Sequence, residues 1–280
     1  MKVDNYTATV PTADGPAVFD WLVEALPSGL DDVEVVDRLP TYSYARSLGV
    51  KVDGDVVGVV RWGGNGDGSS VDLKGAISHP THGVLRARWP AHRVTRMDVA
   101  VDRVSPGLFM RSYEAMKNLA GSKRPRVQLR HEGDWTWRER PGLSCYFGSS
   151  ESDFQAVLYE KDAEMLAKQG AAITDETRGW TRFEIRCKPK KKPLGELLSG
   201  LSPAEVIGLY AFGREALELF NGFQAKALKA PPRLRSEDRT YMALIAQYGE
   251  FLRLHPQRLE NLANDLQKGY EFRTGKRSKG

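Results

Sequence analysis

Three short runs rich in Val, Tyr and Ser follow one another between residues 42 and 77, and a turn sequence separates each run from the next. The runs cover residues 42–52, 56–62 and 70–77, with Asp53-Gly54-Asp55 and the Gly-rich stretch 63–68 between them. Runs of this length and composition, bounded by Gly and Asp, are typical of antiparallel strands joined by tight turns. The stretch 63–68 lacks the Gly-Lys-Ser ending of a phosphate-binding loop, so it is interpreted as a hairpin connection.

The spacing of apolar residues assigns most of the remaining chain, because they recur every two residues in strands and about every 3.6 residues in helices. Further strands are predicted over residues 94–104, 126–129, 135–137, 144–147, 154–159 and 181–187. Helices are predicted over residues 12–26, 106–120, 160–168, 203–228, 236–252 and 257–272. The sequence therefore predicts an α+β fold, in which helices flank a large antiparallel sheet of the RRM-like kind and a helical region follows it.

The change from alternating to helical patterns near residues 188–193 predicts one domain boundary. We expect an α+β domain over residues 1–190, a helical region over 191–272 and a basic disordered tail over 273–280. Two similar halves, 1–104 and 105–190, are conceivable within the first domain, although the sequence contains no strong repeat.

The composition is that of an ordinary globular chain with a modest basic excess. The 280 residues carry a net charge of +5, and 41% of them are hydrophobic. Basic residues cluster at 86–96, 123–130, 182–192 and 273–279. Each cluster alone is better explained as a solubilising surface, whereas the four together make an anionic partner such as nucleic acid an equal alternative. No apolar run reaches the length of a membrane span, no signal peptide is evident, and the two cysteines suggest no disulfide framework, so a cytoplasmic protein is expected.

Two of the predicted strands carry acidic residues on one face. In the segment 96–102, Asp98 and Asp102 alternate with apolar residues, and Glu184 does the same in the segment 181–187. If these strands are neighbours, the three carboxylates could converge as oxygen ligands for Mg²⁺ or Mn²⁺, each oriented by an adjacent Arg. The alternative is a solvated sheet face with surface ion pairs.

A third strand ends in Tyr159, with Lys161 two residues further on. By period two, both side chains lie on one side, provided that the strand has not already turned into a helix. A phenol needs a metal on the scissile phosphate or a cation beside it to attack phosphate at neutral pH. The alternative for one tyrosine at a strand end is aromatic packing or a hydrogen bond. The histidines of His79-Pro80-Thr81-His82 are predicted to lie in a turn rather than in a metal site.

The order and spacing of these motifs resemble the replication initiation factors of rolling-circle plasmids and filamentous phages, the trans-acting Rep family. The motifs are Arg96-x-Asp98-x-x-x-Asp102, Tyr146-Phe147-Gly148-Ser149 running into Leu158-Tyr159-x-Lys161, and Arg182-x-Glu184-x-Arg186. The resemblance covers roughly residues 70–188, and it departs from the family at Glu160 and in the helical region that follows residue 190.

This resemblance implies a site-specific single-strand DNA endonuclease that also rejoins the strand. Tyr159 would be the nucleophile, assisted by Lys161, and would form a 5′-phosphotyrosine and a free 3′ hydroxyl. The residues implied to hold the Mg²⁺ or Mn²⁺ ion are Asp98, Asp102 and Glu184. The residues expected to orient carboxylates or contact DNA are Arg96, Arg182, Arg186, Trp135 and Trp137. The implied partners are origin DNA, single-stranded or as an extruded hairpin, with a host helicase and a homodimer as further expectations.

Two other functions compete with this one. A non-catalytic, sequence-specific DNA-binding regulator of replication or transcription on the same scaffold would bind origin DNA without a covalent adduct. A tyrosine recombinase would need its tyrosine well after a His-x-x-Arg array, and Tyr270 follows His255 too closely for that arrangement.

Overall fold

The structure is a computed structural model that describes residues 1–64, 66–136, 142–170 and 172–231. The predicted helices 236–252 and 257–272, the predicted basic tail 273–280 and Trp137 lie outside the described residues. The division into domains at residue 190 stays a prediction.

Ten antiparallel strands form one sheet, which confirms the predicted fold class. In chain order the strands are β1 Lys2–Val10, β2 Glu34–Asp37, β3 Arg46–Val52, β4 Asp55–Trp62, β5 Ser69–Lys74, β6 Arg93–Val104, β7 Leu129–Glu132, β8 Ser144–Phe147, β9 Phe154–Glu160 and β10 Trp180–Cys187. Their order across the sheet is β2-β3-β4-β5-β1-β6-β10-β9-β8-β7. The sheet centre is thus made of β1, β6 and β10, which lie far apart in sequence.

Seven α-helices connect or follow these strands in the described part of the chain. They are α1 Gly15–Glu24, α2 Ser78–Arg88, α3 Leu108–Ser122, α4 Lys161–Gln169, α5 Lys192–Gly200, α6 Pro203–Gly208 and α7 Ala211–Asn221. Local sequence sets several of their ends: Asp14 accepts a hydrogen bond from the amide of Ala17 at the start of α1, and Ser202 forms a capping box with Glu205 at the start of α6. No described helix is both long and apolar enough to span a membrane.

The hydrophobic core lies on one face of the sheet. Alternate residues of the central strands, such as Met97, Val99, Phe183 and Ile185, are fully buried there. They pack with apolar residues of the helices, including Leu22, Leu85 and Met116. The residues between them on the strands therefore point to the opposite face, which carries most of the polar side chains discussed below.

Several predictions about individual elements were wrong or incomplete. The sequence analysis did not identify β1, although it occupies the sheet centre. The segment around His79 and His82, predicted as a turn, is the start of α2. Pro80 lies in the first turn of this helix, where a proline is tolerated. The single helix predicted over residues 203–228 is two helices, and the second ends at Asn221, followed by Gly222, whose φ of 77° is the left-handed conformation typical after a helix C-terminus.

The strands of the two halves of the sheet have the same connectivity, and the second half begins at β6 rather than at residue 105. In the first half, β1 is followed by α1, by β2 to β5 and by α2; in the second, β6 is followed by α3, by β7 to β9, by the additional helix α4, by β10 and then by α5. Each half has its first strand at the sheet centre beside its last strand, and the remaining strands run outwards in reverse chain order. The halves meet where β1 pairs with β6, so an approximate two-fold axis passes through this pair.

Candidate active site

Two of the predicted carboxylates lie on adjacent central strands and on the polar face. Asp98 of β6 is paired with Arg186 of β10, and Glu184 is paired with Ala100, two residues along. The two acids are therefore diagonal neighbours across one strand pair. The alternation of both segments predicts this arrangement on the condition that the two strands are neighbours, and β6 and β10 are paired.

Both carboxylates are nearly inaccessible to solvent. Asp98 is 2% exposed and Glu184 is 3% exposed. Burial raises the pKa of each, and the neighbouring Asp98 adds to the rise in the pKa of Glu184. Two acids held close together away from water favour a cation or a shared proton between them.

An arginine two residues away on the same strand orients each acid. Arg96 donates from Nε to both carboxylate oxygens of Asp98, at 3.1 and 2.9 Å, and Arg186 donates from Nε to Oε1 of Glu184 at 2.7 Å. Charge-assisted hydrogen bonds of this kind fix the direction of a carboxylate. They leave Oε2 of Glu184 facing the next strand.

Tyr159 meets that oxygen. It lies near the end of β9, paired with Arg182 of β10, and its hydroxyl donates to Oε2 of Glu184 at 3.4 Å. The residue is 9% exposed. Burial is the main reason that the pKa of Tyr159 lies well above its ordinary value, and the charge of Glu184 raises it further while that of Arg182 lowers it. The phenol is therefore protonated at neutral pH and lies beside a proton acceptor.

Asp102 has a different environment from the other two acids. It accepts hydrogen bonds from Nε and Nη2 of Arg182 at 2.6 and 3.0 Å and from Trp180, and it forms an ion pair with Lys2 at 3.2 Å. Burial raises its pKa, but the hydrogen bonds and charges of Arg182 and Lys2 outweigh burial, so the pKa of Asp102 lies below its usual value. Its role as a metal ligand stays a prediction.

The sequence analysis missed Asp4. The pairing of β1 with β6 shifts register between Val3 and Asn5, which is a β-bulge at Asp4. Oδ1 of Asp4 accepts a hydrogen bond from Nη1 of Arg182 at 2.8 Å, and its charge contributes to the raised pKa values of Asp98, Glu184 and Tyr159. The signal available in the sequence was the run of Val, Tyr and Thr over residues 3–10, which favours a strand.

Lys161 lies beside the tyrosine ring but not on its strand. The strand ends at Glu160 and α4 begins at Lys161, so the same-side argument from period two does not reach this residue. Its Nζ is 5.9 Å from the centre of the Tyr159 ring and forms an ion pair with Glu164 at 2.6 Å. Its assistance to the nucleophile stays a prediction.

The predicted DNA-contacting residues fall into three environments. Arg96 and Arg186 border the acids with 36% and 25% of their side chains exposed, whereas the Arg182 side chain is only 4% exposed. Trp135 packs against Phe109, Tyr113 and His131. These are packing contacts within the protein, and DNA contact by Trp135 stays a prediction; Trp137 lies outside the described residues.

A second tyrosine, Tyr146, lies on the same face one strand further out. Its hydroxyl donates to Oε2 of Glu132 at 2.7 Å, and the guanidinium of Arg130 lies 3.9 Å from its ring centre. This hydroxyl is therefore bonded to an acid other than Asp98 or Glu184.

The described residues contain no set of three His, Cys, Asp or Glu side chains arranged to hold a metal ion. Two buried carboxylates are nevertheless the hard oxygen donors that Mg²⁺ and Mn²⁺ prefer, and such ions usually keep several water ligands. The chemistry of Asp98 and Glu184 therefore fits a divalent ion of this class.

Comparison with known proteins identifies the family of this chain. A solved structure, the rolling circle replication initiator protein from Geobacillus stearothermophilus, is similar over 74% of this chain and 82% of that chain, with 22% identity and a TM-score of 0.48. No curated protein matches the chain at a significant level. The family model described as "Replication initiation factor" matches residues 92–239, which is just over half of the chain and includes Asp98, Tyr159 and Glu184. This match confirms the resemblance stated from the motifs, and the chain belongs to the replication initiation factor family.

Proposed function

We propose that the protein starts rolling-circle replication by nicking one strand of origin DNA with Tyr159 as the nucleophile. The observation that carries the proposal is the hydrogen bond between the Tyr159 hydroxyl and Glu184, next to the second buried acid, Asp98. A buried phenol beside a proton acceptor and a cation-binding pair of acids has the groups that attack on a phosphodiester requires.

In the proposed reaction, the oxygen of Tyr159 attacks phosphorus and its proton passes to Glu184. The bond between phosphorus and the 3′ oxygen breaks, and the 3′ oxygen takes up a proton and becomes the primer end. The 5′ phosphate stays on Tyr159 as a phosphodiester. Rejoining is the reverse, in which a 3′ hydroxyl attacks the phosphotyrosine and releases the phenol.

The other residues would hold these groups in position. Arg186 holds Glu184 and Arg96 holds Asp98, while the positive charge of Arg182 favours the phenolate as it forms. A Mg²⁺ or Mn²⁺ ion, for which Asp98 and Glu184 would be the protein ligands, would offset the charge that develops on the phosphate. Origin DNA, a host helicase and a homodimer remain the expected partners.

The first prediction concerns the nucleophile. Wild-type protein, incubated with Mn²⁺ and a single-stranded oligonucleotide carrying the origin, should form a covalent protein–DNA species on a denaturing gel. Tyr159→Phe should abolish it, because the variant lacks the attacking oxygen. Tyr146→Phe is the matched control on the same face and should keep the adduct, since the Tyr146 hydroxyl is bonded to Glu132 instead.

Two results would contradict the proposal: an adduct that persists in Tyr159→Phe, or wild-type protein that binds origin DNA and never forms one. The second result is what the non-catalytic DNA-binding regulator predicts.

The second prediction concerns the cation. EDTA should abolish adduct formation and leave DNA binding in place, and added Mg²⁺ or Mn²⁺ should restore the adduct. Asp98→Asn should need a higher Mn²⁺ concentration for half-maximal adduct, by roughly tenfold or more, because it removes one charged ligand. Glu114→Gln, which changes an exposed acid on α3, is the control and should not shift this concentration. Full activity in EDTA would remove the metal role from Asp98 and Glu184.

A further inference from the structure

A groove of about 650 Å³ lies on the polar face of the first half of the sheet. Strands β1, β4, β5 and β6 form its floor, and two tyrosines from the segment before β3, Tyr42 and Tyr44, form part of its wall. The proposed chemistry of Tyr159 does not use this groove. The charges and the aromatic ring of its lining nevertheless indicate that it binds a ligand.

The groove is strongly cationic. Five basic residues line it, and Asp72 is the acid among the lining residues; the basic residues are Arg61, Lys74, Arg93, Arg96 and Lys188. The carboxylate of Asp72 is shared between Arg61 at 3.6 Å and Lys74 at 3.4 Å, and it also accepts from Thr7 at 2.9 Å. Arg96 is already paired with Asp98 of the candidate active site, and Asp72 alone does not balance the other four cations, so the groove attracts an anion with several charges.

An exposed aromatic ring stands at the same place. Tyr42 is 84% exposed, and the guanidinium of Arg61 lies 5.8 Å from its ring centre. The backbone at Tyr42 and Ser43 has φ values of 57° and 67°, a left-handed conformation that is costly for residues other than glycine. The turn thus holds the ring of Tyr42 exposed to solvent beside Arg61, where a planar group such as a nucleic-acid base can stack on it.

The groove also corresponds by register to the candidate active site. Across the approximate two-fold axis, Val71-Asp72-Leu73-Lys74 of β5 takes the place of Phe183-Glu184-Ile185-Arg186 of β10. In the first half, Asp72 is paired with Thr7 and Lys74 with Asn5. In the second half, Glu184 is paired with Ala100 and Arg186 with Asp98. Asp72 thus matches Glu184, and Asn5 matches Asp98.

The nucleophile position completes the correspondence. Ser70 of β5 is paired with Arg61 of β4, as Arg182 of β10 is paired with Tyr159 of β9. The first half therefore has an arginine where the second has its tyrosine, and an amide where the second has one of its two buried acids. Such a site has cations for phosphate and lacks the groups that would cut it.

We propose that this groove binds an unpaired segment of the DNA strand that flanks the nicked phosphate, with a base stacked on Tyr42 and phosphates on Arg61, Lys74 and Arg93. The inference rests on the proposed function, because that function supplies the strand that reaches the groove. Aromatic stacking together with cations along a backbone is the usual way in which proteins hold single-stranded DNA.

Arg96 connects the two sites. It binds Asp98 of the candidate active site and also lines the groove. From Tyr159 on β9 to Arg61 on β4 the path crosses five strand spacings, or about 24 Å at about 4.8 Å each. An extended strand of several nucleotides covers this distance, which falls within the usual size of a single-strand binding site.

The first test measures the phosphate contact. A fluorescent oligo(dT) of about 20 nucleotides is titrated with full-length protein in EDTA, and the affinity is followed against salt. Lys74→Ala should weaken binding about fivefold at about 0.1 M salt and lower the slope of log K against log [salt] by about 0.7, because one phosphate contact is lost. Lys117→Ala is the matched control on α3: the two lysines have 48% and 49% exposed side chains and ion pairs of 3.4 and 3.3 Å. It should leave both quantities unchanged.

The second test measures stacking. Tyr42→Ala should weaken oligo(dT) binding roughly tenfold, while Tyr42→Phe, which keeps the ring, should bind like the wild type. A duplex of the same length should not respond to Tyr42→Ala, because paired bases are not free to stack. Unfolding midpoints of all variants should stay close to that of the wild type, since the changed side chains are exposed.

The inference is overturned if Lys74→Ala and Tyr42→Ala both bind oligo(dT) with the affinity and salt slope of the wild type. It is also overturned if Tyr42→Ala weakens the binding of duplex and of single-stranded DNA equally. These outcomes do not depend on the nicking reaction. If the wild type forms no adduct but the groove variants lose oligo(dT) binding, the proposed function fails and the groove stands. If the wild type forms the adduct and the groove variants bind oligo(dT) normally, the proposed function stands and the groove inference fails.

Discussion

Arg182 connects two acids on different strands beside the candidate nucleophile. Its guanidinium binds Asp102 through two nitrogens and Asp4 through the third, and only 4% of its side chain is exposed. A buried cation with two acids is costly to break because removal of one partner leaves charges without compensation. Arg182 therefore stabilises the sheet centre, in addition to its charge effect on Tyr159.

The prediction at this scale concerns stability. Arg182→Met should lower the free energy of unfolding by about 3 kcal/mol, because Asp4 and Asp102 lose their buried partner. Lys2→Met removes an exposed partner of the same Asp102, with 45% of the lysine side chain in solvent, and should cost no more than about 1 kcal/mol. Urea denaturation at neutral pH measures both. Similar losses in the two variants would show that Arg182 does not have the structural weight assigned to it.

The residue scale also shows what alternation can and cannot predict. Period two placed Asp98 and Glu184 on one face, because each lies within a regular strand. It was not applied to Asp4, because β1 was not identified and a bulge interrupts the alternation there, and it could not reach Lys161, where a helix begins. Side chains at irregular points of a strand are set by pairing with distant strands, and a single sequence does not contain that pairing.

At the scale of single elements, α5 supports the strand that carries Asp98. Its Gly195 lies so close to β6 that an added Cβ would be 2.5 Å from the carbonyl oxygen of Val94 and 2.9 Å from Cγ of Arg93. The helix therefore approaches the strand backbone more closely than any side chain would allow. The position of β6 depends on this contact.

The prediction for this element compares two glycines of one helix. Gly195→Ala should destabilise the protein by roughly 1–3 kcal/mol, because the helix must move away from β6. In Gly200→Ala the new Cβ meets nothing within 4 Å, so its effect should be small, within about 1 kcal/mol in either direction. Thermal unfolding of both variants is the measurement. A Gly195→Ala variant as stable as Gly200→Ala would mean that α5 can shift without cost.

For the whole molecule, the sequence predicted the fold class better than the arrangement of the sheet. Local runs around the Gly turns identified β3, β4 and β5, because neighbouring strands in the sheet are also neighbours in sequence. The central pairs β1 with β6 and β6 with β10 join segments far apart in the chain, and no local pattern specifies them. The similarity of the two halves is likewise visible in strand order and register but not in residue identity.

The place of β1 has a consequence for synthesis on the ribosome. This strand is synthesised before the other nine strands, and its pairing with β5 can form once residue 74 has emerged. Its other edge has no partner until β6 follows, nearly twenty residues later. During that interval a half-built sheet presents a bare edge, which is open to pairing with another nascent chain. The same holds for β6, whose second partner, β10, begins only at Trp180, so an unpaired sheet edge persists through most of the synthesis of this sheet.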